Sequence, residues 1–245
     1  MTDPAPSALS FIPLEANPEL LTSLLHTLGL SPALAMHDVF SLTDADMLSF
    51  VPRPALALLL VFPVSAQYEA QRECEDAALP LYNDAGDEHV VWFPQTIRNA
   101  CGMMGLLHAV SNGPARDMIE PGSTLANILD AAIPLPARQR HTVLESSTPL
   151  ATAHSSAAVQ GDTAAPEATA DVDLHYVCFV KGRDGALWEL DGRRKGPLKR
   201  CDLGPEEDVL CEKALESGPL RFLAAEAENG GGELRFSCVA LASAA

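Results

Sequence analysis

Residues Phe93–Val110 read FPQTIRNACGMMGLLHAV. A polar run ends at Cys101-Gly102, and behind it Met104, Leu107, His108 and Val110 recur at helical spacing. The spacing predicts a buried helix of about three turns, with a thiol in its first turn and Gln95 six residues before that thiol. A helix of this kind needs a sheet to lie against, and the chain around it supplies the strands.

Upstream, ALALLLVFPV (Ala55–Val64) is apolar on both alternating faces, as suits a strand at the centre of a sheet. EANPELLTSLLHTLGL predicts a helix with both ends marked. Asn17 is its cap, Pro18 its first residue, Leu20, Leu21, Leu24, Leu25 and Leu28 its apolar face, and Gly29 its left-handed stop. QYEAQRECEDAAL predicts a polar surface helix. Downstream, DLHYVCFV and ALWELDG read as strands joined by a KGRDG hairpin. GPEEDVLCEKALESG reads as a helix and ELRFSCVALA as a closing strand. Pro149–Asp171, PLATAHSSAAVQGDTAAPEATAD, contains no aromatic residue, reads as a structureless stretch, and runs directly into His175. Helices and hairpins in this order predict one α+β domain over residues 1–245, with a central antiparallel-rich sheet flanked by helices.

Of the 245 residues, 47% are hydrophobic, enough for a sizeable core. A net charge of −17, from 33 acids against 16 Lys and Arg, disfavours nucleic acid or an anionic membrane as partner and suits a basic one. No two of the six cysteines are closer than ten positions, so there is no CxxC pair. Reduced, mostly buried thiols in a cytoplasmic or nuclear protein are the expectation. MTDPAPSALS has neither the basic nor the apolar region of a signal peptide, and the longest apolar run is too short to span a bilayer.

A thiol becomes a strong nucleophile when it loses its proton, and the unpaired N–H groups of a helix start favour that loss. Cys101 is therefore placed to attack a carbonyl. The developing oxyanion needs donors, which the Cys101 backbone N–H and the Gln95 amide can supply. His175 can carry the proton, and Asp191, sixteen residues on across the hairpin, can orient it. Each residue alone also suits a bland role: a structural thiol, a satisfied core histidine, a polar residue before a helix. Together they form a complete acyl-transfer set. His108 lies about 10 Å along the helix from the thiol, too far for proton transfer, and is assigned to packing or a structural hydrogen bond.

QTIRNACGMMGLLHAV closely resembles the active-site segment of the ubiquitin carboxyl-terminal hydrolases, and VDLHYVCFVKGRDGALWELDGR resembles their histidine and aspartate segments. PLEANPELL, FVPRPALALLLVFPVSAQYE, GSTLANIL and GELRFSCVALASAA extend the resemblance over almost the whole chain, and it is closest to the family's short members. The resemblance implies a papain-like cysteine peptidase core, with Cys101 as nucleophile, Gln95 as oxyanion stabiliser, His175 as acid–base and Asp191 as its orienter. It implies an active-site crossover loop at about 149–171, and no metal or cofactor. It further implies ubiquitin contacts at Pro13, Leu14, Glu15, Ala16, Asn17 and Pro18. Others fall at Ala158, Val159, Gln160, Gly161, Asp162 and Leu174, and on the last strand at Glu233, Leu234, Arg235 and Phe236.

The function so implied is a thiol-dependent deubiquitinating hydrolase, acting as a monomer, that removes small or disordered adducts after the terminal glycine of ubiquitin. The alternatives are a hydrolase directed at NEDD8 and a ubiquitin-binding module with little catalysis. The chain departs from the family pattern at Arg98 and Met103, and at RKGPLKRCDLG after ELDGR, none of which is a catalytic position.

Overall fold

The computed structural model describes residues 7–86, 89–163, 166–168, 173–228 and 235–244. The elements run α1 (Pro18–Leu28), β1 (Leu34–Asp38), α2 (Ala45–Leu48), β2 (Ala57–Pro63), α3 (Ala66–Ala77), α4 (Cys101–Val110) and α5 (Thr124–Ala132). They continue with α6 (His141–Ser146), α7 (Thr148–Ala158), β3 (Leu174–Lys181), β4 (Ala186–Leu190), β5 (Leu198–Asp202), α8 (Glu212–Ser217), α9 (Pro219–Glu228) and β6 (Ser237–Ser243). The strands form one sheet in the order β1-β6-β2-β3-β4-β5, and every pairing is antiparallel.

Strand β2 is buried along its whole length, and its alternate residues feed two cores. Ala57, Leu59 and Val61 face α1, α4 and α5; Leu58, Leu60 and Phe62 face α3, α8 and Phe222 of α9. Helix α4 can lie close on the first face because two of its residues lack side chains. A Cβ on Gly102 would come within 3.1 Å of Leu14 Cβ, and one on Gly105 within 3.2 Å of Leu59 Cδ2. The ends of α1 follow the sequence: the Asn17 side chain accepts from Leu20 N–H, and Gly29 takes φ 107°.

Three expectations need correction. The stretch Pro149–Asp171 is not structureless throughout, because residues through Ala158 belong to α7. Ser147 caps this helix by accepting from Leu150 N–H, Pro149 sits in its first turn, and four of its eleven residues are alanine, the best helix former. Its buried side is Leu150, Ala153, His154, Ala157 and Ala158, too small in volume to stand out as an apolar stripe. Second, Gly204–Gly218 is not one helix. Asp208 pairs with Arg53 and accepts from the N–H groups of Ala55 (2.7 Å) and Leu210 (3.0 Å), which holds the first part in turns until Cys211 caps α8. Third, the closing strand spans Ser237–Ser243; Glu233 and Leu234 lie outside the described residues. The sequence reading left out β1, β5, α2, α5, α6 and α9, and no helix among the described residues is long and apolar enough to cross a membrane.

Candidate active site

Three elements converge at one end of the sheet. Helix α4 brings Cys101 in its first turn, half-buried, with its Sγ 3.9 Å from the Leu174 carbonyl oxygen at the start of β3. Among the described residues no side chain caps this helix start, and N–H groups of a helix start attract an anion. Asn99, two residues earlier, takes φ 57°, a left-handed conformation that asparagine tolerates better than most residues, and turns the chain into the helix.

Strand register places the other two groups. His175 pairs with Phe62 across β2–β3, and Cys178 pairs with Leu190 across β3–β4. One step past that pair, Asp191 is level with Val177, on the same face as His175 and two residues along, within reach of a long side chain. The contact is made: His175 Nε2 donates to Asp191 Oδ1 at 2.9 Å, and both residues are buried, 3% and 1% exposed. This leaves His175 Nδ1 as the ring nitrogen for Cys101, the tautomer that proton exchange with the thiol requires.

Burial opposes charge on His175, but Asp191 beside it and Cys101 opposite outweigh this and push its pKa from 6.5 up to about 9. For Asp191, burial likewise opposes ionisation, and the His175 imidazolium together with the Arg193 N–H holds it well below the usual carboxylate range. The aspartate is fixed from several sides. Oδ1 also accepts from Arg193 N–H (2.8 Å), Oδ2 accepts from the Tyr68 hydroxyl (3.0 Å), and its carbonyl accepts from Trp92 Nε1 (3.0 Å).

Gln95 is tied to the turn after Asp191. Its N–H donates to the Gly192 carbonyl at 2.8 Å, and a Cβ on Gly192 would sit 2.8 Å from Gln95 Cβ, so only glycine lets the two segments come this close. The Gln95 side-chain nitrogen donates to the Ile97 carbonyl at 3.3 Å, while its buried Oε1 has no partner among the described residues. His108 stays apart from this chemistry: it accepts from Phe93 N–H at 3.1 Å, and burial lowers its pKa to about 4.

A cleft of about 450 Å³ opens at Cys101. Of the expected contact residues, Pro13, Leu14, Glu15, Ala16, Ala158, Leu174, Arg235 and Phe236 line it. Asn17, Pro18 and Asp162 line a neighbouring depression, whose floor carries the exposed Phe40 and Phe50. Val159, Gln160 and Gly161 line neither.

The described part of the segment between α7 and β3 is tied across this cleft. Asn17 Nδ2 donates to Asp162 (2.9 Å), the Thr163 N–H (3.1 Å) and hydroxyl (2.9 Å) donate to Glu15, and Asn99 Nδ2 donates to the Ala168 carbonyl (2.9 Å). The sequence reading missed Tyr68, Asn99 and Tyr176, whose hydroxyl donates to the Leu14 carbonyl at 2.9 Å. Only Asn99 carried a sequence signal, as an asparagine just ahead of the helix start. The departures Arg98 and Met103 differ in setting, since Arg98 is exposed and Met103 is in the core.

The chain matches known proteins in sequence and in fold. The family model described as ubiquitin carboxyl-terminal hydrolase, family 1, matches residues 11–217. Ubiquitin carboxyl-terminal hydrolase YUH1 of Saccharomyces cerevisiae is 34% identical over 217 residues, covering 83% of this chain and 84% of that protein. Ubiquitin carboxyl-terminal hydrolase isozyme L1 of Rattus norvegicus is 35% identical over 233 residues, covering 95% of this chain and 98% of that one. The catalytic domain of Trichinella spiralis UCH37, solved bound to ubiquitin vinyl methyl ester, matches with a TM-score of 0.71 at 21% identity over 96% of each chain, a likeness of fold.

Proposed function

Since the chain belongs to family 1 of the ubiquitin carboxyl-terminal hydrolases, and is by that membership a cysteine-type deubiquitinating hydrolase, we propose that Cys101, His175, Asp191 and Gln95 carry out its reaction. The thiolate of Cys101 attacks the carbonyl of the terminal glycine of ubiquitin. The oxyanion is received by the Cys101 N–H and the Gln95 amide, which swings from its contact with Ile97. His175 then gives its proton to the leaving amine, and water hydrolyses the thioester with His175 as base. The observation that carries this reading is the 2.9 Å bond from His175 Nε2 to Asp191, which aims the other ring nitrogen at the thiol.

The ubiquitin tail is proposed to enter the cleft between Leu14–Ala16 and Arg235–Phe236, and the body of ubiquitin to rest on the depression beside Asn17. Adducts are proposed to be small or unfolded, because the segment held by Glu15, Asn17 and Asn99 crosses over the cleft. We propose that the enzyme acts as a monomer, in the cytoplasm or nucleus. The test is parallel turnover of ubiquitin and NEDD8 C-terminal amide reporters by the wild type and by Cys101→Ser. Turnover of ubiquitin lost in the variant supports the reading. Faster turnover of NEDD8 would reassign the substrate, and turnover retained by the variant would end the assignment of the nucleophile.

A further inference from the structure

Asp191 has two carboxylate oxygens, and orienting His175 uses only one of them. The other, Oδ2, receives the hydroxyl of Tyr68 at 3.0 Å. Tyr68 stands on α3, which supplies no other group to the reaction. Its ring packs edge-on against Phe62 (centroids 4.8 Å apart, 73° between planes) and lies 5.9 Å from Phe222. Phe62 is itself the cross-strand partner of His175, so the ring that fixes Tyr68 also packs against the imidazole. A space-filling role would be met by the ring alone. The hydroxyl is buried, with charged Glu189 and Arg194 near it, and is directed at the second oxygen of the residue that orients the base.

We propose that Tyr68 is a positioning residue for hydrolysis: its O–H holds the Asp191 carboxylate in the one rotation that keeps Oδ1 on His175 and moderates the pull of that carboxylate on the imidazolium. The proposal rests on the assignment of Cys101, His175 and Asp191 above. Oδ1 is held by His175 and by the Arg193 N–H, and the Tyr68 bond to Oδ2 adds the second oxygen, which restricts rotation about the Cβ–Cγ bond. The charged and titratable groups facing the Asp191–His175 pair are Glu189 on β4, Arg193 and Arg194 after it, Arg72 on the helix of Tyr68, His108 on α4 and, opposite His175, Cys101. Glu75, Arg200 and Arg221 border the small cavity on the far side of the Tyr68 ring.

The sign of the effect follows. A donor to Oδ2 spreads the carboxylate charge, so removing it makes Asp191 more basic and its hold on protonated His175 stronger. In Tyr68→Phe the alkaline fall of kcat/KM, which reports His175 losing its proton, is expected to move upward by about half a pH unit. The catalytic constant should drop about tenfold, the usual scale for losing an outer partner of a reacting group, with KM unchanged.

The experiment is the pH profile of ubiquitin C-terminal amide hydrolysis for the wild type, Tyr68→Phe, Asp191→Asn and the double variant, with melting temperatures alongside. If Tyr68 acts through Asp191, adding Tyr68→Phe to Asp191→Asn costs little further. A lower kcat and melting temperature with the alkaline limb in place would mean that the tyrosine only supports the fold. Losses that add in the double variant, or a profile that superimposes on the wild type, would equally overturn the proposal. Wild-type turnover in Asp191→Asn alone would instead show that the site assignment failed, whatever Tyr68 does.

Discussion

Replacing Asp191 by asparagine keeps the side chain's size and removes the charge that sustains the His175 imidazolium. Moving the histidine from 6.5 to about 9 against the cost of burying it corresponds to roughly 3 kcal/mol of net interaction. Without the carboxylate, burial acts with little to oppose it, and the His175 pKa should fall to 6.5 or below. At pH 7.5 the protonated fraction would drop from about 97% to under about 10%, and the amide can also hold the ring in the wrong tautomer. The kcat should therefore fall by much more than tenfold, while ubiquitin affinity stays near wild type, because Asp191 is buried behind the histidine.

Stability carries the same signature. The folded pKa of His175 lies above its unfolded value, so its contribution is fully present below pH 6.5 and is lost as pH rises from 6.5 through 9. For Asp191 the folded pKa is depressed, so its contribution is present above pH 3.8 and lost as the pH falls below that value. Both windows should flatten in Asp191→Asn. The assays are kcat/KM from pH 5.5 to 10, and melting temperature over a wider range. An alkaline limb in the variant that coincides with the wild type would refute the reasoning, as would lost ubiquitin binding with turnover intact.

Three further perturbations probe the scaffold. Gly192→Ala places a Cβ 2.8 Å from Gln95 Cβ and should cut kcat by about 100-fold; turnover within twofold of wild type would show that Gln95 is not held in place by this contact. Leu59→Ala empties the core between β2 and α4 and should cost about 2–5 kcal/mol, read from urea midpoints; a cost under about 1 kcal/mol would contradict the packing described. Inserting Gly-Ser residues after Glu167 costs only about 0.6 kcal/mol per doubling of the loop and should let folded adducts be cleaved; if wild type already cuts a folded fusion as fast as a short peptide, the segment is no gate.

The sequence was most legible where one residue type has one physical meaning. Asn17, Pro18 and Gly29 marked both ends of α1, and the doubly apolar β2 could only be central. The thiol could be read from its place at the start of a helical pattern, and His175 with Asp191 because a hairpin sets residues sixteen positions apart side by side. Helix α7 was hidden because its buried side is alanine, which gives weak contrast in hydrophobicity. Strands β1 and β5 escaped because these five-residue edge strands, LAMHD and LKRCD, show no apolar–polar alternation in sequence. Tyr68 could not be found from the sequence, since its contact with Asp191 spans 123 positions and depends on how α3 packs against the end of β4.

The central claim is that Cys101 is the nucleophile, and its most direct test is covalent capture. Wild-type protein is mixed with ubiquitin bearing an electrophile at its C-terminus, and the adduct is located by peptide mass spectrometry. The account predicts one ubiquitin per chain, attached at Cys101, with no adduct in Cys101→Ser and much slower capture in His175→Ala. Attachment at the exposed Cys74 or any other cysteine, or capture that persists in Cys101→Ser, would contradict it.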